Sequence, residues 1–146
     1  MLDRSRFARH LLLLPLLLAG CASHLAGSPT AATGGPATPA TVQGTLVDTH
    51  CYSIDRAFRA DDHKTASGTI EGCAGACARL GIPVAILTAS GEVVTLLAPA
   101  PELADHMSDE ARAVGTRVMN GALRPDSIFV RGADGAWTPI SLHQMM

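Results

Sequence analysis

Aromatic side chains and charge are both scarce in this sequence: 3% of its 146 residues are Phe, Tyr or Trp, and 16% are charged. Beyond residue 21 the aromatics are Tyr52, Phe58, Phe129 and Trp137, too few for the stacking platforms on which single-strand binders hold bases. That stretch carries eight Lys or Arg against twelve Asp or Glu, a net charge near −4, so no basic surface invites nucleic acid. Catalytic signatures are also missing: there is no Gly-x-Ser-x-Gly elbow, His-Glu-x-x-His, Walker loop or Cys-x-x-Cys-His. The chain is not expected to be an enzyme. No apolar run is long enough to span a bilayer. Residues 11–18 contain Pro15 and number about eight, against the roughly 20 that a spanning helix needs.

The N-terminus has three zones: cations at Arg4, Arg6 and Arg9 with His10, the apolar stretch 11–18, and small residues up to Cys21. This is the layout of a secretory signal. Leu18-Ala19-Gly20-Cys21, placed at the end of that run, resembles the lipobox of bacterial lipoproteins. The resemblance implies cleavage before Cys21, lipidation of its thiol and amine, and attachment to a membrane by acyl chains, each buried methylene contributing about 0.8 kcal/mol. Ala22, where Asp would favour the inner membrane, implies an outer-membrane anchor with the domain facing the periplasm rather than the cell surface. The other reading is an ordinary signal that ends near a cysteine by chance. Residues 1–20 are thus read as signal peptide, and residues 21–41 as the acylated cysteine with a flexible Ala/Gly/Ser/Pro/Thr tether. Residues 42–146 form one domain of about 105 residues, enough for a single core.

Within that domain, residues 42–48 read as a first strand. Residues 83–88 and 92–97 flank Ala89-Ser90-Gly91 as a hairpin, and residues 116–120 with 127–130 form a second. Residues 137–142 are a closing strand, which Pro139 assigns to an edge. A helix is expected over 73–80, stopped by Gly81 and Pro83, and a second over 101–107, with one more turn at Ser108-Asp109-Glu110. No structure is assigned between Cys51 and Cys73. These elements predict a mainly β fold, a small OB-like Greek-key barrel with one or two short helices. The pattern Gly44-Thr45-Leu46-Val47-Asp48, Cys51-Tyr52, His63, Cys73-x-x-x-Cys77, Gly81-x-Pro83 and Gly115-Thr116-Arg117-Val118-x-x-Gly121 resembles small uncharacterised exported bacterial proteins with OB-like barrels. That resemblance implies the fold more than the function.

Beyond Cys21 three thiols remain, Cys51, Cys73 and Cys77, an odd number for an exported domain that would pair its cysteines. Cys73 and Cys77 stand i and i+4 on the predicted helix, with Cβ atoms about 5–6 Å apart, wider than the roughly 3.5–4.5 Å of a disulfide. Two metal–sulfur bonds of about 2.3 Å bridge that gap. The first turn of the helix is expected to favour their thiolates. Cys51 would supply a third sulfur and His63 a fourth ligand. His63 lies in Asp61-Asp62-His63-Lys64, read as an exposed polar loop, so it is expected to matter less than the cysteines. The Cys-x-x-x-Cys plus His arrangement resembles the copper sites of exported copper chaperones and of the dinuclear copper centre in respiratory oxidases. It carries over only to Cys73, Cys77 and His63, because the thioredoxin-like sequence of the chaperones is missing. Soft thiolates suit Cu(I), and three Cys with one His suit Zn(II) equally.

The alternative is a disulfide from Cys51 to Cys73 or Cys77, worth roughly 3 kcal/mol in the chain-entropy model. It would make the domain a stitched module that docks another envelope protein, with no metal. His50 would point away from Cys51 if the strand continued. His24, His106 and His143 read as solvated or packed. Asp48 is either a buried carboxylate beside the cysteines or a turn residue at the strand end. Met145 and Met146 offer thioethers to copper or are simply frayed ends.

Overall fold

The computed structural model describes residues 37–143. The signal-like segment, Cys21, His24, most of the tether, and Met145 and Met146 lie outside the described residues. The fold is mainly β. Strand β1 (Thr38–Asp48) leads into helix α1 (Thr49–Ile54), the small strands β2 (His63–Thr65) and β3 (Gly68–Ile70), and helix α2 (Cys73–Arg79). Then follow β4 (Val84–Thr88), β5 (Val93–Thr95), a 3₁₀ helix (Ala100–His106), β6 (Glu110–Arg117), a 3₁₀ turn (Met119–Gly121), β7 (Leu123–Arg131) and β8 (Trp137–Ile140).

Six strands form one antiparallel sheet in the order β5-β4-β1-β6-β7-β8, and β2 pairs with β3 as a separate hairpin. β1 begins at Thr38, inside the segment read as tether, because its first residues pair with β6 from Thr38↔Arg117 to Val42↔Ala113. A distant partner supplies what the local Ala/Pro/Thr composition does not. The barrel expected from sequence does not close. β7 pairs with β6 along one edge, while β8 occupies the far half of the other edge from Ile128↔Ile140 to Arg131↔Trp137. Only the start of that edge meets the chain leaving β5, through the parallel bridge Leu96↔Leu123 and the Leu97 N–H donating to Leu123 O at 2.8 Å. Pro125 and Pro99 lack the N–H groups that would extend this ladder. The edge position of Pro139 is as its chemistry requires.

Alternation along β1 and β4 sends side chains to two layers. Leu46 and Ile86 join Leu103, Leu123 and Ile128 in the main core. Val47, Ala85 and Leu87 face the other way and are covered by Tyr52 of α1. The two sheet strands approach closely at Gly44, where a Cβ would stand 2.1 Å from the Leu87 carbonyl oxygen. The segment 100–106 coils as a 3₁₀ helix that buries Leu103 and Ala104. The extra turn expected at Ser108-Asp109-Glu110 is absent: Glu110 already opens β6, and the Ser108 N–H and Asp109 carbonyl bond to Leu46 of β1. Among the described residues no helix is long and apolar enough to cross a membrane.

Candidate metal centre

The site begins where β1 ends. Six residues are too few to hold a helix unaided, so α1 depends on its anchors. The Asp48 Oδ1 accepts the Cys51 N–H at 2.9 Å as a helix N-cap. Thr49 donates both its N–H (3.1 Å) and its hydroxyl (2.8 Å) to the Pro83 carbonyl ahead of β4, and Tyr52 is buried. These contacts fix Cys51 on the first turn of α1. An Asp directly ahead of a helix is a readable cap signal, which the strand reading of residues 42–48 passed over. Because the chain turns helical here, His50 does not alternate with Cys51 along a strand; it is solvent-exposed.

His63 is not on an exposed loop. It opens β2, pairs in register with Ile70, stacks on Phe58 with ring centroids 4.5 Å apart, and is only 2% exposed. The flanking acids explain how a polar tetrapeptide places a histidine inside. Asp61 accepts the Ala74 N–H on its carbonyl (3.1 Å) and the Gly75 N–H on Oδ1 (2.7 Å), and Asp62 Oδ1 accepts the Gly72 N–H (2.8 Å). Both acids are thus engaged by amides at the start of α2, which lack intrahelical partners. Alternation leaves Lys64 exposed and His63 buried.

α2 carries Cys73 as its first residue and Cys77 one turn later. Its stop is the one the sequence demands. Gly81 takes φ 87°, its N–H bonds to the Ala78 carbonyl at 2.9 Å, and the Ile82 N–H reaches the Cys77 carbonyl at 3.1 Å. Gly75 permits close packing on the 3₁₀ helix, since a Cβ there would lie 2.9 Å from Ala104 O.

These elements bring the expected ligands into one neighbourhood, divided into two groups. In the first, donor atoms of Cys51, His63 and Cys73 all lie within 4.8 Å of one another; in the second, those of Asp48, Cys51 and Cys77 do. Cys73 therefore stands with His63, and Cys77 with Asp48, while Cys51 belongs to both. Asp48, 1% exposed, is the residue that the sequence left between a turn role and a buried carboxylate. It serves both as cap and as a wall of the site.

Among the described residues the three cysteines, Cys51, Cys73 and Cys77, are free, so the disulfide from Cys51 to Cys73 or Cys77 is not formed. Burial, and next the charge of Asp48, push the Cys51 thiol up to about 12 and raise Cys77 in the same direction. For Cys77 these influences replace the thiolate-favouring effect expected from the helix start. Two buried polar atoms at the site make no hydrogen bond, Asp48 Oδ2 and His63 Nε2. Buried donors and acceptors are nearly always paired, and an orphan costs about 1–3 kcal/mol. Sulfur, imidazole nitrogen and carboxylate oxygen are all zinc donors, and the thiolates also suit Cu(I).

The other described histidines stand apart from these groups. His106 pairs with Asp109 at 3.3 Å, and His143 lies against Glu102. Comparison of the chain with protein-family models, with curated proteins and with solved structures finds no match.

Proposed function

We propose that the domain binds a thiophilic metal ion, Zn(II) or Cu(I), through Cys51, His63 and Cys73, and that the chain holds metal rather than catalysing a reaction. The observation that carries this reading is the buried imidazole of His63, whose ring nitrogen lies within 4.8 Å of two sulfurs and whose Nε2 has no hydrogen-bond partner. An ion held there would make the imidazole and two adjacent thiols its ligands. The test is competition against a calibrated Zn(II) or Cu(I) chelator, on the full chain reduced without oxygen. Cys51→Ser, Cys73→Ser and His63→Ala should each lower affinity more than about 10-fold, the least that loss of even an outer-shell partner costs. His63→Ala belongs with the cysteine variants because the histidine is buried. No binding by the wild type, or unchanged affinity in Cys51→Ser, would return the domain to a docking module without metal.

The signal-like N-terminus and Leu18-Ala19-Gly20-Cys21 support a lipid anchor on Cys21, with the domain on the periplasmic side of the outer membrane. Cells fed labelled palmitate should mark the wild-type chain and leave Cys21→Ala unlabelled. Label retained in that variant would remove the lipoprotein reading.

A further inference from the structure

The two donor groups share one atom, the Cys51 sulfur, and each contains a buried residue with a polar atom that makes no hydrogen bond, His63 at Nε2 in one and Asp48 at Oδ2 in the other, the Asp48 carboxylate also facing the Cys51 thiol. Resting on the metal-binding reading, we propose that the centre holds two zinc ions bridged by the Cys51 thiolate, one completed by His63 and Cys73 and the other by Asp48 and Cys77.

Three arguments converge on two ions. The first is geometric. In each group of three the donor atoms lie within 4.8 Å of one another, and Cys51 is their common member. A thiolate sulfur has lone pairs for two metals, so one side chain can serve both groups. Asp48 likewise divides its work. Oδ1 is engaged by the Cys51 N–H, and Oδ2 makes no hydrogen bond, so the carboxylate keeps lone pairs for an ion.

The second argument is charge. Three thiolates and one carboxylate carry four negative charges, and His63 is neutral when it ligates. A single divalent ion among His63, Cys51 and Cys73 leaves the Asp48 carboxylate buried and uncompensated, a costly arrangement. Two divalent ions bring four positive charges and leave the cluster neutral. Two Cu(I) ions would not.

The third argument is donor chemistry. A carboxylate oxygen is an ordinary zinc ligand but a poor match for Cu(I), so the group containing Asp48 selects Zn(II). Each zinc then has three protein donors, and its fourth tetrahedral position falls to solvent.

The experiment is native mass spectrometry of the full chain equilibrated with excess zinc. The wild type should carry two ions. Asp48→Asn keeps a side-chain oxygen for the α1 cap, since Asn caps as well as Asp, and should carry one, as should Cys77→Ser. Cys51→Ser, which removes the bridge, should retain fewer than one. Saturation of the wild type at one ion overturns the dinuclear centre and leaves the single-ion reading standing; no bound zinc overturns both. Two ions retained in Asp48→Asn and Cys77→Ser place the second ion elsewhere and overturn the proposal. Cobalt(II) in place of zinc gives a readout that needs no variant. The second equivalent should quench the paramagnetic signal of the first by spin coupling through the shared sulfur, whereas two additive signals would exclude the bridge.

Discussion

Asp48 keeps one oxygen on the Cys51 amide and the other unpartnered, and its negative charge falls on two thiols. The folded state therefore holds the Cys51 proton more tightly than the unfolded chain does, up to about 12 against an ordinary 9.0, with burial the larger cause and Asp48 the next. A raised thiol pKa stabilises the fold fully below the unfolded value, and the contribution is lost as pH climbs toward the folded one. The urea midpoint of the reduced, metal-free chain should fall between about pH 9 and about pH 12. Asp48→Asn should flatten that fall by removing the charge but not the burial; an unaltered slope would mean that Asp48 does not govern the thiol. Asp48→Ala should in addition cost about 0.5–2 kcal/mol through the lost cap. At this scale the cysteine spacing was legible in the sequence, and the burial of His63 was not. Asp61-Asp62-His63-Lys64 is polar by composition, and only the distant amides of α2 and the ring of Phe58 turn its acids aside and its histidine inward.

Elements with a local cause were readable. The hairpin joining β4 and β5 follows from Gly91, and the end of α2 from Gly81. Those that depend on remote partners were not. The first residues of β1 exist because β6 pairs with them, and α1 because Asp48 and Pro83 hold its start. The β1–β4 approach at Gly44 also supports the site, since β1 ends in Asp48 and β4 follows the Pro83 carbonyl that holds Thr49. Backbone, not a yielding side chain, occupies the space that a Cβ would need there. Gly44→Ala should therefore destabilise the chain by about 1–3 kcal/mol, read as a lower urea midpoint at constant slope. A midpoint equal to wild type would show that the strands part without cost.

Across the sheet, closure fails because β8 holds Ile128 to Arg131 of one β7 edge while the chain leaving β5 meets that edge only at Leu123, where Pro99 and Pro125 stop the ladder. The sequence indicated a mainly β domain and the hairpin of β4 with β5. It read residues 116–120 as a strand where β6 runs Glu110–Arg117 and a 3₁₀ turn follows, and it did not reach the strand order or the closure, which depend on remote pairing. The proposed metal donors follow a different logic. All of them fall within residues 48–77, whereas the sheet must join Thr38 to Arg117. Gathering a short contiguous segment costs less chain entropy than closing the long loop. An ion can thus be captured early, while the C-terminal strands are still unfolded. Zinc should then speed refolding of the reduced chain as well as slow its unfolding, since a ligand that binds structure present in the transition state lowers the folding barrier itself. Stopped-flow refolding with and without zinc measures this directly. An effect confined to the unfolding rate would mean that the centre forms only after the sheet, and that the ion locks a finished domain instead of nucleating one.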